Sequence, residues 1–184
     1  MEQDEPNPLS VYARTKLEGE RAVQTEDPGA IIARVNLIGW SMSGSRSLSE
    51  FFFYNLKAGR QVRGFRDVFF CPLLANHLGR ILLEMLEIDL HGLYHVVSSE
   101  CISKYEFGVR LAERFGLDAS LIQPSSLEES GLKAARSPKL TLRSDKAANA
   151  LGRPLPNVDE ALEGLYQLYR QGYTEEIQKL RAGE

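Results

Sequence analysis

Two side chains in this sequence could do acid–base chemistry together. In the run Pro8-Leu9-Ser10-Val11-Tyr12-Ala13-Arg14-Thr15-Lys16-Leu17-Glu18-Gly19-Glu20, a phenol precedes an ammonium by four residues. On a helix, positions i and i+4 leave the same face roughly 5–6 Å apart at Cβ. A lysine charge there favours the phenolate, which suits a tyrosine that hands a proton back and forth. Chance also produces Tyr-x-x-x-Lys, and an amphipathic helix with an edge tyrosine and a solvated lysine gives the same pattern.

The elements that must position the pair can be read on either side of it. Leu9, Tyr12, Ala13, Lys16, Leu17 and Glu20 recur at helical steps, and Ser10 has the chemistry of an N-cap. The helix ends near Gln24, and Glu26-Asp27-Pro28-Gly29 is a turn. Ala30-Ile31-Ile32-Ala33-Arg34-Val35 reads as a buried parallel strand. Ser49 to Ala58 is a helix bearing Phe51-Phe52-Phe53-Tyr54, and consecutive aromatics on a helix imply two contact surfaces. A short strand is expected at 61–65, a helix at 75–88 and a strand at 93–97. A further helix follows, capped by Ser103 with Glu106 completing a capping box and stopped by Gly116. A short helix over 145–151 and an amphipathic helix over 159–171 come next, then a charged tail expected to fray.

Composition excludes several functions. The chain has 184 residues, 43% hydrophobic and 26% charged, with a net charge of −3. No basic stripe suggests nucleic acid, and the longest apolar runs, such as Ile81-Leu82-Leu83, are far too short for a membrane span. The acidic start (Glu2, Asp4, Glu5) is not a signal peptide. Cys71 and Cys101 make no disulfide framework and fit a reducing cytoplasm, the expected location. His91 and His95 are four apart, but in a turn and strand and without a third ligand. A metal site is not expected.

The segment Tyr-Ala-x-Thr-Lys-Leu-x-Gly-Glu, followed by the 30–35 strand, resembles the catalytic helix of extended short-chain dehydrogenases/reductases, in the dTDP-4-dehydrorhamnose reductase branch. Further similarity lies in Arg34-Val35-Asn36-Leu37-Ile38-Gly39-Trp40 and in Gly92-Leu93-Tyr94-His95-Val96 with Ile102-Ser103-Lys104-Tyr105-Glu106-Phe107-Gly108. It continues in Ser137-Pro138-Lys139-Leu140-Thr141-Leu142-Arg143-Ser144-Asp145-Lys146-Ala147. There Ser137 replaces the usual Arg, and Arg143 stands where an Asp is expected. In the loop 67–76 the chain keeps Asp67 and Pro72, with Val68, Leu73 and Asn76 where polar or acidic residues are usual.

The resemblance implies an α/β fold, the C-terminal part of a Rossmann-type reductase with a mixed α/β substrate-binding region. Residues 1–40 would be a Rossmann remnant, 41–173 the substrate-binding region and 174–184 a tail. It implies Tyr12 as proton donor, Lys16 as its tuner and as a cofactor contact, and Asn36 beside the nicotinamide. Trp40, Arg136, Lys139 and Arg143 would contact a nucleotide-sugar substrate. The cofactor implied is NADP or NAD. No Gly-x-Gly-x-x-Gly turn follows a strand, and Gly44-Ser45-Arg46 is too sparse to replace one, so the chain alone is not expected to hold a dinucleotide. A missing N-terminal half, or a homodimer covering the open sheet edge, is the expected partner. A non-catalytic binding or regulatory module, and an epimerase or dehydratase, are the alternatives.

Overall fold

In the computed structural model, which describes residues 1–130 and 139–182, Ser10 does start the first helix. Its hydroxyl accepts the Ala13 N–H at 3.1 Å, satisfying one of the open donors of α1 (Val11–Glu26). The turn at Asp27–Gly29 then leads into β1 (Ile31–Arg34). β1 pairs in parallel with the distant β6 (Gly92–His95), Ile31 opposite Gly92 and Arg34 opposite His95.

Between these strands lie β2 (Leu37–Ile38), α2 (Leu48–Lys57), β3 (Val62–Phe65), β4 (Phe69–Phe70), β5 (Leu73–Leu74) and α3 (Ala75–Glu87). After β6 come β7 (Ile102–Ser103), α4 (Lys104–Phe115), β8 (Ile122–Ser125), β9 (Lys139–Leu140), α5 (Asp145–Ala150), α6 (Val158–Arg170) and α7 (Tyr173–Ala182). β2 pairs with β5, β3 with β8 and β4 with β9, all parallel, while β4 and β7 are antiparallel. The α/β class expected from the sequence is the one observed.

Two apolar clusters hold the chain. One joins α2, α4 and α6 over β3 and β8, with Phe52, Phe53, Phe107, Leu111, Leu162 and Leu165 inside. The other gathers Leu73, Ile81, Met85, Tyr94, Val96 and Leu155 around β1 and β6. Phe52, Phe53 and Tyr54 of α2 all join the first cluster, so the second contact surface expected from the sequence is not seen among the described residues. Phe52 meets Phe107 of α4, Phe53 meets Trp40, Phe115 and Tyr169, and Phe51 is left exposed.

α4 ends as expected, with Gly116 in the left-handed region at φ 65°. Its start is only half a capping box. Ser103 accepts the Glu106 N–H, but the Glu106 carboxylate turns to Arg110 at 2.6 Å. Ser103 itself belongs to β7, where it pairs with Phe69. The charged tail forms α7, which runs to Ala182 and buries Ile177 and Thr174.

α4 passes close to α2 at Gly108, where an added Cβ would lie 2.6 Å from the Phe52 ring. Helix propensity alone favours alanine by about 1 kcal/mol. Phe52 is fully buried and cannot yield, and overpacking of this kind costs about 1–3 kcal/mol. Net of the propensity gain, Gly108→Ala is therefore expected to destabilise by up to about 2 kcal/mol, read as a lower urea midpoint. A raised midpoint would contradict this packing.

The cysteines correct the sequence reading. The β4–β7 register sets Phe70 opposite Ile102, so the flanking Cys71 and Cys101 face each other, and they form a disulfide with Cα atoms 4.0 Å apart. Thirty residues of sequence separate them. Nothing local in the sequence signals a contact made by strand register, which is why unpaired thiols were expected.

Candidate functional site

Tyr12 and Lys16 share a face of α1, with Lys16 Nζ 5.7 Å from the centre of the Tyr12 ring. α1 buries none of its residues, and Tyr12 is 71% exposed. Both side chains thus reach solvent, as a proton-transfer pair requires and as an edge tyrosine beside a solvated lysine also would. One turn beyond Lys16, Glu20 grips Arg34 of β1. The guanidinium reaches the carboxylate from Nε at 3.0 Å and from Nη2 at 2.7 Å. This fork ties the helix that carries the pair to the carboxyl end of β1.

Beyond that end, Asn36 is already committed. Its Oδ1 accepts the Cys71 N–H at 3.1 Å and its Nδ2 donates to Val35 O at 3.2 Å, while its own carbonyl accepts the Leu73 N–H. Trp40 is likewise engaged. Its indole N–H donates to Leu165 O at 3.0 Å, and its ring packs edge-on against Phe53 and Phe115. Both residues act here as structural joints. Asp67, in the loop that departs from the family pattern, caps the Leu127 N–H, and Val68 and Leu73 are core.

Of the expected cationic contacts, Arg136 lies outside the described residues, and Lys139 is described only through its backbone pairing with Phe69. Arg143 is exposed and forms an ion pair with Asp145 at 2.7 Å. It lines a cavity of about 300 Å³ with Ser98, Ser99, Cys101, Leu142, Ser144 and Asp145. This cavity sits just past the carboxyl end of β6. In open parallel sheets, ligands bind at that end of the strands. The serines were missed in the sequence, although a β-branched strand running into Ser98-Ser99 is the available signal.

His95, at the end of β6, meets the backbone carbonyl of Arg143. It is 1% exposed, and burial pushes its imidazole below the ordinary histidine range. A carbonyl can only accept, so the contact with Arg143 O at 3.2 Å puts the proton on Nδ1, leaving Nε2 without a partner among the described residues. His91 instead meets Gly29 O and Asp89 at the surface. Among the described residues, no group of three or more His, Cys, Asp or Glu gathers as a metal site would require.

A larger open groove lies between α4 and α6, lined by His77, Arg110, Arg114, Asp159 and Glu163. Its arginines are consumed by ion pairs, Arg110 with Glu100 and Glu106 and Arg114 with Glu163.

Comparison with known proteins decides the family. Residues 1–171 match the RmlD substrate binding domain. The chain belongs to that family. It is 31% identical over 167 residues to the probable low-salt glycan biosynthesis reductase Agl14 of Haloferax volcanii, covering 89% of this chain and 56% of the relative. It is 30% identical over 144 residues to methionine adenosyltransferase 2 subunit beta of Danio rerio, covering 73% of this chain and 44% of the relative. Its fold is shared with the dTDP-4-dehydrorhamnose reductase of Bacillus anthracis, solved in complex with NADP, at a TM-score of 0.81 and 22% identity, over 90% of this chain and 58% of that one. The chain thus spans about half the length of the curated relatives it matches.

Proposed function

We propose that this RmlD-family chain supplies the substrate-binding part and the proton-transfer pair of an NADPH-dependent nucleotide-sugar reductase acting on a keto sugar of the dTDP type. The observation that carries this reading is the Tyr12–Lys16 pair, uncovered on α1 and tied through Glu20–Arg34 to the carboxyl end of β1. A nicotinamide cofactor bound there would supply the hydride.

The exposed face of α1 fits the nicotinamide ribose, which the Lys16 ammonium would hold while steadying the Tyr12 phenol. Tyr12 Oη then donates its proton to the carbonyl oxygen as the carbon is reduced. Asn36 keeps the strand end in place through Cys71, and Arg143 with Ser98 and Ser99 would take the nucleotide side by charge-assisted hydrogen bonds. Arg136 and Lys139 complete the cationic set on this reading. The chain has no glycine-rich pyrophosphate turn, so tight dinucleotide binding requires a further half.

The same reading carries a cytoplasmic location, where nucleotide sugars and reduced nicotinamide meet. No described helix is long and apolar enough to cross a membrane. It also carries self-association when no cofactor half covers β1, since that strand pairs only with β6 among the described residues. Light scattering at high concentration would then give a dimer, and a clean monomer would contradict it.

The experiment is an assay of protein that also carries a cofactor-binding half, given dTDP-4-dehydrorhamnose and C4-deuterated NADPH. One deuterium in the product marks a reductase. A product without deuterium favours the epimerase or dehydratase alternative. Likeness to methionine adenosyltransferase 2 subunit beta favours a second reading, a binding module that leaves the sugar unchanged.

A further inference from the structure

We propose that Cys71–Cys101 is a thiol–disulfide exchange site in the folded protein, with Cys101 the attacked sulfur, Cys71 the leaving group and a dithiol the reductant. Three observations converge on it. The two sulfurs are unequal in access: Cys71 is 0% exposed, whereas Cys101 is exposed and lines the cavity beside Ser98 and Arg143. An external thiolate can therefore approach only the Cys101 side.

The buried sulfur, for its part, is equipped to leave. The Leu142 N–H points at Cys71 Sγ at 3.3 Å, a donor placed to stabilise the negative charge that develops as the bond breaks. The disulfide also lies at a junction. Cys71 N–H donates to Asn36 Oδ1, Cys71 O accepts the Ser98 N–H, and Leu142 begins the stretch that continues through Arg143 to Asp145. The carboxyl ends of β1 and β6 and the cavity wall thus meet at one bond.

The exchange balances as follows. A thiolate of the dithiol attacks Cys101 Sγ, the Sγ–Sγ bond breaks, and Cys71 leaves as a thiolate that takes up a proton. The second thiol of the reductant then attacks the mixed disulfide at the reductant's own sulfur, releasing Cys101 as a thiol. Two electrons and two protons pass to the protein, and the dithiol becomes a disulfide. A disulfide in a reducing compartment is usually an exchanging one, so the geometry is consistent with the location proposed above.

The test uses the whole oxidised chain under native conditions, with a dithiol protein reductant whose resolving cysteine is changed to serine to trap the adduct. Peptide mapping is expected to place the adduct on Cys101 at least tenfold over Cys71, with the circular dichroism unchanged. Dithiothreitol should then reduce the bond at least a hundredfold faster than the chain unfolds, and amide exchange at Leu142 and Ser98 should quicken at least tenfold. An adduct on Cys71, or reduction no faster than unfolding, would overturn the proposal. The single variants give an independent check. The Cys101 thiol of Cys71→Ser should alkylate at least a hundredfold faster than the Cys71 thiol of Cys101→Ser, and equal rates would overturn the assignment. None of these readouts depends on turnover, so the inference stands or falls separately from the reductase reading.

Discussion

Tyr12→Phe, in protein that carries a cofactor-binding half, is expected to lower turnover of the keto sugar by about 10²–10⁴-fold, the usual contribution of a general acid. The phenol ring stays and only its hydroxyl goes. That hydroxyl is solvent-facing on a helix with no buried residue, so thermal stability should barely move. Lys16→Met should weaken both dinucleotide affinity and turnover, because on the proposed reading the one ammonium would serve ribose and phenol together. Loss in kcat with an unchanged melting temperature is the signature of a catalytic tyrosine. A rate near wild type for Tyr12→Phe would reduce the pair to surface decoration.

The largest stability effect is expected at Glu50. This carboxylate is 1% exposed and makes no ion pair among the described residues, yet it organises the loop between β2 and α2. Oε1 accepts the Ser41 N–H at 2.6 Å and the Ser41 hydroxyl at 3.0 Å. Oε2 accepts the N–H groups of Arg46 and Ser47 at 2.9 and 3.0 Å. With Ser47 returning its hydroxyl to the Glu50 N–H, the arrangement is a complete capping box extended by a further loop contact. Glu50→Ala leaves several donors without an acceptor, at about 1–3 kcal/mol for each that stays buried. The expected loss is about 3 kcal/mol, or roughly 6–12 °C in Tm for a chain of this size. Glu50→Gln should lose less, since one oxygen remains. A Tm within 2 °C of wild type for Glu50→Ala, where about 6–12 °C is expected, would contradict the network.

Glu50 also marks where sequence reading stops. The α1 helix was legible because Ser10, the apolar period and the Tyr12–Lys16 spacing are all local. Gly116 was legible for the same reason, as a residue that accepts the left-handed end of α4 at no steric cost. The Ser47–Glu50 box has an equally local Ser-x-x-Glu pattern, set just before the aromatics of α2. A second contact surface was expected for those aromatics, yet Phe52 and Phe53 both turn into one cluster, against Phe107 and Phe115 of α4, a choice that depends on helix packing.

The Cys71–Cys101 contact and the second cluster are of another kind. Both come from strand register between segments tens of residues apart, which no local period encodes. At the site the split is similar. The Tyr12–Lys16 spacing was legible locally, whereas the proton-transfer role proposed for it came from the family resemblance and not from spacing. Asn36 and Trp40 were read as ligand contacts, yet their polar atoms bond to Cys71 and Leu165, choices made by the fold. Ser98, Ser99 and Asp145 join Arg143 only once β6 is laid beside the 142–145 stretch.

The central claim is that this chain holds the nucleotide-sugar side of the reaction and leaves the dinucleotide to another half. Calorimetric titration of the 184-residue chain with dTDP and, in parallel, with NADPH tests it most directly. The account predicts saturable dTDP binding that weakens at least tenfold in Arg143→Ala, and no saturable NADPH binding at low micromolar concentration. Tight NADPH binding, or no heat from dTDP at millimolar concentration, would contradict it.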